Sequence, residues 1–591
     1  MHPPIAQIQT SQTESTPSAP YSPQPSTPFG GINPQLLLMG GCMALLLVPM
    51  LFQKYSGQRK GILARARFAT AREIHQSKIY ARKLIQQNKH NKVALWIQEP
   101  KGIIINHQKR QIEIPPDNNS FYVSHLEEHS LILGNTGSGK SYSVLDPFKR
   151  SVIKRGQPLI DYDYKGHEES PHSLAPSSSI AGYALDHGYK VYVVAPGFPD
   201  TDKFNILDVL KHPQDGANAF QLSNVLNENF KLSASDQGAD FFSLAGNQLI
   251  QALFMLVKGS EVCADIALAH KILALPNFSK RIAEARLPQY QKVAFDNYLA
   301  SADSPETAAS IATTASIMFS RFMIPEVLST FCGQSTMPLE ITGRTMVIFR
   351  LNPQIEFAVA PLLASIIYLM INRNIYMARK DPVHFFLDEV QTTKVPSLSK
   401  VLQVARSAGG CFYLGTQGID LLESTYGVKE TENILTGCKT VFVGQLSHNG
   451  TAEYYSKYFG MEDISYKNKS RSHGKGGTNR SEGDQQNTRP LVEIQQLLEL
   501  PQGQFYCRNR GIGNKKAVRI PVHHQTVIPP WELKDMDKGK QTWKKYRKLR
   551  IKQSKIQPLT DQDLETRESV ARSLVPDHAN VAAGEQAAVR Y

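Results

Sequence analysis

The chain has 591 residues, 41% of them hydrophobic, so it has room for several domains and enough apolar side chains for buried cores. Lysine and arginine number 66 against 52 aspartates and glutamates, a net charge of +14, which favours an anionic partner such as nucleic acid or a lipid surface; a mildly basic soluble enzyme has the same excess. The six cysteines lie far apart without a C-x-x-C pair, which argues against a zinc site or a disulfide framework and favours a reducing compartment.

The N-terminal segment combines a polar tail with an apolar run. Residues 1–31 are rich in Pro, Ser, Thr and Gln, with Glu14 as the only charged side chain, a composition that predicts disorder. The run Leu36–Phe52 is uncharged and mostly apolar, and we predict a transmembrane helix over 32–53. A cleaved signal peptide and a buried core helix are the alternatives, but no basic residue precedes the run and no small-residue cleavage site follows it.

The segment after this run is strongly basic. From Lys54 to Arg110 there are fourteen lysines and arginines, against only Glu73 and Glu99. The positive-inside rule therefore places everything after residue 53 in the cytoplasm and the N-terminal tail outside. The same segment can contact anionic lipid headgroups.

A glycine-rich motif, G-x-x-x-x-G-K-S, occupies Gly134–Ser141 between strand-like residues and a helix-compatible run. Its glycines let backbone N–H groups turn around a phosphate, and the helix N-terminus adds the positive end of its dipole. Lys140 can reach the outer phosphates and the Ser141 hydroxyl can ligate Mg²⁺. A chance glycine turn is the alternative, which the flanking strand and helix disfavour. We therefore predict ATP and Mg²⁺ as cofactors, with nucleotide contacts from Gly134, Asn135, Thr136, Gly137, Ser138, Gly139, Lys140, Ser141 and Tyr142.

Short apolar runs and helical repeats on both sides of this motif predict an α/β fold. Small strands are predicted from Val93 to Ile114, followed by the strand that enters the glycine-rich motif and by further strands at 158–163 and 189–195, a spacing typical of a parallel sheet. Between about 216 and 326 the apolar residues recur at helical spacing, which predicts an all-α domain inserted in the α/β domain. The sheet then resumes in short apolar runs at 345–351, 384–387, 410–414 and 440–443.

The C-terminal part is more polar. Residues 466–488 are rich in glycine and polar side chains and predict a mobile loop. Trp531–Lys555 carries ten lysines and arginines, which predicts a basic helix, and the last thirty-odd residues are expected to be unstructured. The predicted organisation is 1–31 tail, 32–53 transmembrane helix, 54–124 basic segment with small strands, 125–215 nucleotide-binding domain (first part), 216–326 all-α domain, 327–525 nucleotide-binding domain (second part), and 526–591 basic, partly disordered tail.

A second catalytic signal is an apolar strand that ends in Asp388-Glu389. In a P-loop ATPase such an aspartate holds the Mg²⁺ shell and the glutamate orients and deprotonates the attacking water. Alone, two acids after a strand are more often a strand entering a solvated loop, but a P-loop upstream favours the catalytic interpretation.

Two further candidates follow shortly after, in V-A-R-S-A-G-G-C-F-Y-L-G-T-Q-G. Gln417, at a predicted strand end, can sense the γ-phosphate. Arg406 can point out of the subunit as a finger into a neighbour's site. For either residue the alternative is a solvated surface group.

Several motifs in the chain together resemble those of a known protein family. Residues 387–461 resemble the type IV coupling proteins, TraG/TraD-like conjugative ATPases, in the pieces LDEV, VPSLSKVL, ARSAGG, GTQGIDLL, ENILTGCKT and TAEYYSKYFG. Gly61–Ala69 resembles the family's motif after the membrane, and further matching pieces are DYKG at 163, FNILD at 204 and RPL at 489. The similarity covers most of 60–515. Departures are Tyr164 and His167, where the family has Pro and Glu, and a single predicted span instead of two.

The resemblance implies a RecA-like P-loop NTPase domain in a homohexamer anchored in the bacterial inner membrane, and the residues predict one span with most of the chain cytoplasmic. It implies an ATP hydrolase that couples relaxase and relaxosome proteins to a type IV secretion channel and drives transfer of single-stranded DNA without sequence preference. Onto this chain it carries Lys140, Glu389, Arg406 and Gln417 as catalytic residues and Ser141 and Asp388 as Mg²⁺ ligands. An ATP-switched receptor that docks protein or nucleoprotein cargo is the alternative, and an FtsK/HerA-like DNA pump unrelated to secretion is less favoured.

Overall fold

The computed structural model describes residues 66–170, 173–232, 240–474, 477–514, 517–554 and 556–577. The predicted tail 1–31 and the predicted transmembrane helix 32–53 lie outside the described residues.

Strands of the described chain are short and mostly buried. In chain order they are β1 (Ala94–Ile97), β2 (Ile104–Asn106), β3 (Gln111–Glu113), β4 (Phe121–Ser124), β5 (Ser130–Leu133), β6 (Leu159–Asp163), β7 (Lys190–Val194), β8 (Thr345–Arg350), β9 (Val383–Leu387), β10 (Gly410–Thr416), β11 (Thr440–Val443), β12 (Met461–Gly474), β13 (Gly477–Pro490), β14 (Gln504–Arg508) and β15 (Val522–Gln525).

Nine of these strands form one sheet in the order β15-β14-β11-β5-β10-β9-β6-β8-β7. The seven strands from β11 to β7 pair in parallel, while β14 is antiparallel to both of its neighbours. The central strands are continuous apolar runs because both faces of a parallel sheet are covered. Because parallel strands share one carboxyl edge, the loops after β5, β9 and β10 meet at that edge.

Helices cover both faces of the sheet. In chain order they are α1 (Ala71–Gln87), α2 (Asp146–Lys154), α3 (Pro176–Asp186), α4 (Gly216–Leu232), α5 (Asp240–Lys258), α6 (Ile266–Leu273), α7 (Phe278–Glu284), α8 (Gln289–Ala300), α9 (Pro305–Phe322), α10 (Pro325–Phe331), α11 (Glu356–Ile375), α12 (Leu398–Ala408), α13 (Ile419–Tyr426), α14 (Val428–Gly437), α15 (Asn449–Phe459), α16 (Ile494–Leu498), α17 (Pro530–Gln553) and α18 (Asp561–Leu574).

Two large apolar clusters lie on opposite sides of the sheet. One joins alternate sheet residues to α2, α3 and Trp543 of α17. The other joins the remaining sheet residues to α11, α12 and the helices of the segment between β7 and β8. The predicted α/β class is therefore confirmed, and the core follows the period-two alternation of each strand.

The segment between the neighbouring strands β7 and β8 is helical, as its apolar spacing predicts. Its helices α4 to α10 run from 216 to 331, and their buried side chains belong to the same apolar cluster as one face of the sheet. The helical content is confirmed, while a separate all-α domain stays a prediction.

Two C-terminal expectations differ from the structure. The residues expected to form a mobile loop, 466–488, lie in the antiparallel hairpin of β12 and β13. The sequence from Lys467 to Thr488 contains only polar residues and glycine, so no alternation of apolar and polar residues predicts strands there. The expected lack of structure in the last thirty-odd residues is wrong for α18, which starts at a capping box between Thr560 and Asp563.

One helix among the described residues, 353–375, is long and apolar enough to cross a membrane, and a bent pair, α9 with α10, passes the same test jointly. Within the tested window 67% of the first helix is buried inside the protein. Its side chains, including Leu362 and Ile366, belong to the core that covers the sheet, which is the position of a core helix in a layered α/β fold.

Candidate nucleotide-binding site

The loop after β5 has the geometry that its glycines predict. Gly137 and Gly139 have φ angles of +83° and +88°, a left-handed conformation that favours glycine. A Cβ atom at Gly137 would meet nothing within 4 Å, so the outer side of the loop is open. Asn135 donates its backbone N–H to the carbonyl of Gln445, 2.8 Å away, which ties the loop to the strand end of β11.

The loop leads directly into a helix. A wider π-helical turn, Ser141–Leu145, precedes α2. Thr136 is exposed near the tip and Ser138 is buried at its base, with a hydroxyl that has no hydrogen-bond partner among the described residues. Tyr142 is 45% exposed beside the loop.

Lys140 lies between the two acids of the second motif. Its ammonium group donates to Glu389 Oε1 at 2.8 Å and lies 3.3 Å from Asp388 Oδ1, and its side chain is only 5% exposed. Burial alone lowers the pKa of Lys140, but the charges of Asp388 and Glu389 outweigh it and raise the pKa above its ordinary value. The ammonium group therefore stays charged in the folded protein.

Asp388 also contacts Ser141, the residue that follows Lys140 in the P-loop. The Ser141 hydroxyl donates to Asp388 Oδ2 at 2.7 Å. Burial raises the pKa of this carboxyl, but the ammonium groups of Lys140 and Lys149 bring it below its ordinary value, so the group is ionised. A hydroxyl and a carboxylate in contact are the oxygen ligands that Mg²⁺ uses in phosphate sites.

The Glu389 carboxylate accepts hydrogen bonds from two side-chain amides, and its backbone has an unusual conformation. Gln417 donates to Glu389 Oε2 at 3.1 Å, and Gln391 donates to the same oxygen. The residue has φ +60° and ψ +55°, a left-handed conformation that costs a non-glycine residue about 1–3 kcal/mol and that concentrates at functional sites.

The residues present fit a Mg²⁺-bound nucleoside triphosphate. The loop is built on left-handed glycines, a buried charged lysine follows it, and the Ser141–Asp388 pair adjoins that lysine. Among the described residues, this site included, no group of three or more His, Cys, Asp or Glu side chains could hold a metal ion by itself.

Arg406 is the one predicted catalytic residue that the fold does not bring to this site. It lies in the last turn of α12 and donates to Glu128 Oε1 at 2.6 Å, while its side chain is 54% exposed. Glu128 precedes β5, so the pair lies at the amino edge of the sheet, opposite the P-loop.

A buried ionic cluster, which was not predicted from the sequence, lies behind the site. Lys149 of α2, 5% exposed, lies 2.8 Å from Asp161 of β6 and 3.5 Å from Asp146. Burial raises the pKa of Asp161 to about 6, although Lys149 opposes the shift. A helical lysine and a strand aspartate this far apart in sequence give no local signal, because only the parallel packing of α2 on the sheet joins them.

The comparisons with known proteins agree with the motif order. Residues 382–502, which contain Asp388, Glu389, Arg406 and Gln417, match the model of a family described as the TraM recognition site of TraD and TraG. The coupling protein TraD of Escherichia coli (strain K12) is 29% identical over 168 residues, which is 27% of this chain and 23% of that protein. The matched stretch thus spans less than a quarter of that relative.

Solved structures share the fold over a longer range. The plasmid coupling protein TrwB in complex with ADP and Mg²⁺ matches with a TM-score of 0.50 and 17% identity, covering 68% of this chain and 85% of that one. TrwB in complex with the non-hydrolysable ATP analogue ADPNP matches with a TM-score of 0.51 and 17% identity, covering 68% and 86%. Together with the sequence matches, this likeness in fold confirms the resemblance found in the motifs.

Proposed function

We propose that this chain, a relative of the TraG/TraD-like coupling proteins, is a membrane-anchored ATPase that acts as a homohexamer in the bacterial inner membrane. With ATP and Mg²⁺ it would couple relaxosome proteins to a type IV secretion channel and drive transfer of single-stranded DNA. The observation that carries the proposal is the contact of Lys140 and Ser141 with Asp388 and Glu389, from two distant segments.

The P-loop lysine has two possible partners in this site. Its ammonium group is paired with Glu389 in the described structure, 2.8 Å away, and the same group would hold the outer phosphates of ATP. Binding would therefore turn Lys140 from the carboxylate toward the phosphates and release Glu389. Ser141 and Asp388 would hold Mg²⁺, which would neutralise charge on the phosphate oxygens.

Glu389 is the candidate general base. Once released from Lys140, its carboxylate can accept a proton from a water molecule in line with the phosphate, and the amides of Gln391 and Gln417 orient it. Gln417 lies at the end of β10, directly beside β5, so it can sense whether the outer phosphate position is filled.

The names of the relatives support the partners proposed here. The matching family is described as a recognition site for TraM, and the solved relatives with the same fold are plasmid coupling proteins. The net charge of +14 suits a pore that holds DNA through its phosphates. The span predicted at 32–53 would anchor the protein with its ATPase part in the cytoplasm.

The test of the ATPase is Lys140→Ala in the full-length protein. We expect hydrolysis to fall by about 10³-fold or more, since both phosphate positioning and Glu389 control depend on this ammonium group. The measurement is phosphate release, with Lys190→Ala, an exposed lysine at the start of β7, as the matched control. Equal rates for the two variants would contradict the proposal.

A second function, an ATP-switched receptor for protein or nucleoprotein cargo, is favoured by the description of the matching family as a recognition site. Glu389→Gln separates the two functions, because it keeps the shape of the side chain while removing the base. DNA transfer that stops with this variant, while nucleotide binding continues, supports the motor. Transfer that continues without hydrolysis supports the receptor.

A further inference from the structure

Two arginines share one buried carboxylate at the amino edge of the sheet. Arg406 Nη2 and Arg510 Nη1 donate to the same oxygen, Oε1 of Glu128, at 2.6 Å and 2.5 Å. Glu128 is 2% exposed, whereas the two arginine side chains are 54% and 51% exposed. The cluster of these three residues therefore carries one net positive charge at the protein surface.

Three separate elements bring the cluster together. Glu128 lies two residues before β5, Arg406 lies at the end of α12, and Arg510 lies two residues after β14. Because β14 runs antiparallel to β11, its end falls at the same edge as the start of β5.

The loop that carries Arg510 is anchored by its preceding residue. The Asn509 side chain donates to the carbonyl of Ser124 at 2.7 Å and to the hydroxyl of Thr440 at 2.8 Å. Asn509 is itself buried, 1% exposed, so the backbone under Arg510 is held firmly while its side chain faces solvent.

Neither arginine can act on the nucleotide site of its own chain. The four residues of β5 separate the cluster from the P-loop, a distance of about 13 Å along an extended strand. Any phosphate that these guanidinium groups contact must therefore belong to another molecule.

The need to neutralise the buried Glu128 carboxylate does not explain why two arginines contact it. A buried carboxylate needs one cation as partner, and a second guanidinium on the same oxygen adds repulsion between like charges. Half-exposed ion pairs contribute little to stability. Two planar guanidinium groups held side by side, with free donors toward solvent, instead match the oxygens of a phosphate chain.

We propose that Arg510 acts together with Arg406 on the triphosphate bound to a neighbouring copy of this chain, and that Glu128 is the positioning residue that holds the two guanidinium groups side by side. Arg510 stabilises the negative charge that develops on the phosphate oxygens during hydrolysis. The inference rests on the proposed hexameric ATPase and adds a second cation to its subunit interface.

The test compares Arg510→Ala with Arg572→Ala, an arginine of α18 that is 53% exposed and also paired with a carboxylate. In the full-length protein we expect the ATPase kcat to fall by roughly 10²-fold or more for Arg510→Ala, with unchanged affinity for a fluorescent ATP analogue. Arg572→Ala should match the wild type. Arg510→Lys, which keeps the charge without the fork of donors, should recover part of the rate, and Glu128→Gln should lower kcat and leave KM unchanged.

Mixing variants tests action between copies. Arg510→Ala supplies an intact P-loop and Lys140→Ala supplies an intact arginine cluster, so a mixture of the two should regain activity that neither has alone. Wild-type activity in Arg510→Ala, or no regain in the mixture, contradicts the inference and leaves the proposed ATPase standing. A wild-type protein without any ATPase activity contradicts the proposed function and the inference with it.

Discussion

At the scale of single residues, the site is preorganised by charges that satisfy one another. Lys140 and Glu389 are paired at 2.8 Å, and Glu389 keeps a strained backbone with φ +60°. In the proposed mechanism, this contact would keep the Glu389 carboxylate paired with Lys140 until phosphate oxygens take the lysine.

Lys149 is the counter-ion of two buried aspartates behind the site, Asp146 and Asp161. The pKa of Asp161 is raised to about 6 even with this lysine 2.8 Å away. The folded state thus holds more protons than the unfolded state between about pH 4, the ordinary pKa of an aspartate, and this value. Stability falls as the pH rises through that window.

Lys149→Met should destabilise the protein by about 3–5 kcal/mol, because it leaves Asp146 and Asp161 buried without their counter-ion. Without the lysine the pKa of Asp161 rises further, so the window of falling stability extends to higher pH. We expect a larger drop in the unfolding midpoint at about pH 8 than at about pH 5.5. Thermal unfolding at both pH values checks this.

The double variant Lys149→Met with Asp161→Asn is the control for the pH-dependent loss of stability expected of Lys149→Met. It removes the charge that Lys149 neutralises and should restore part of the midpoint, more at the higher pH. A Lys149→Met midpoint that does not change with pH would show that packing, not charge, dominates at this position.

At the scale of elements, a close helix crossing fastens the C-terminal helix to the sheet layer. A Cβ added at Gly182 of α3 would lie 1.7 Å from the carbonyl oxygen of Gly539 in α17, so both helices need glycine here. Beside the crossing, Trp543 is fully buried and Arg547 lies 3.3 Å from both Glu169 and Asp200. These contacts make α17 part of the fold.

Gly182→Ala should loosen α17, although alanine is the better helix former by about 0.5–1 kcal/mol. Overpacking a helix crossing costs about 1–3 kcal/mol, so the expected result is a net loss of stability and faster proteolysis between 526 and 530. Gly216→Ala is the control, since its Cβ would stay 3.7 Å from the nearest atom. Equal protease resistance of the two variants would contradict the crossing.

At the scale of the whole molecule, some of the basic side chains are paired with carboxylates inside the fold, and these neutral pairs leave the net charge of +14 unchanged. Arg550 of the basic helix pairs with Asp202, Arg150 is buried against Glu532, and Arg567 of α18 binds Asp265 at 2.6 Å. These basic side chains join elements of the fold. In the proposed function, the DNA-binding surface would come from exposed lysines and arginines outside these pairs.

The full-length protein in detergent should hydrolyse ATP faster with single-stranded DNA, equally for unrelated sequences. The stimulation should weaken steeply with salt, because phosphate contacts release counterions, with a slope of about −0.7 in log K against log salt per phosphate. ATPase rates across a salt series measure this. A rate indifferent to DNA at every salt concentration would remove nucleic acid from the proposed function.

Local patterns in the sequence determined those strands, turns and helices whose conformation depends on residues close by in the chain. The strand before Gly134, the left-handed glycines, the helix after Ser141 and the strand before Asp388 all follow from short-range rules of backbone conformation and apolar period. The hairpin at 461–490 was missed because its sequence is polar over most of its length and gives no period. Helix α18 does carry a helical period, at Leu564, Ala571 and Leu574, which the expectation of an unstructured tail overlooked.

Only the tertiary structure decided which distant residues meet. The contact of Lys140 with Glu389 requires β5 and β9 on either side of β10, and the union of Arg406, Arg510 and Glu128 requires β14 to run antiparallel. Sequence spacing carries no information on such contacts, because strand order is set by the packing of helices on both faces of the sheet. The sequence motifs thus indicated which chemistry the site performs. The order of the strands determined whether each side chain lies at the carboxyl or the amino edge of the sheet.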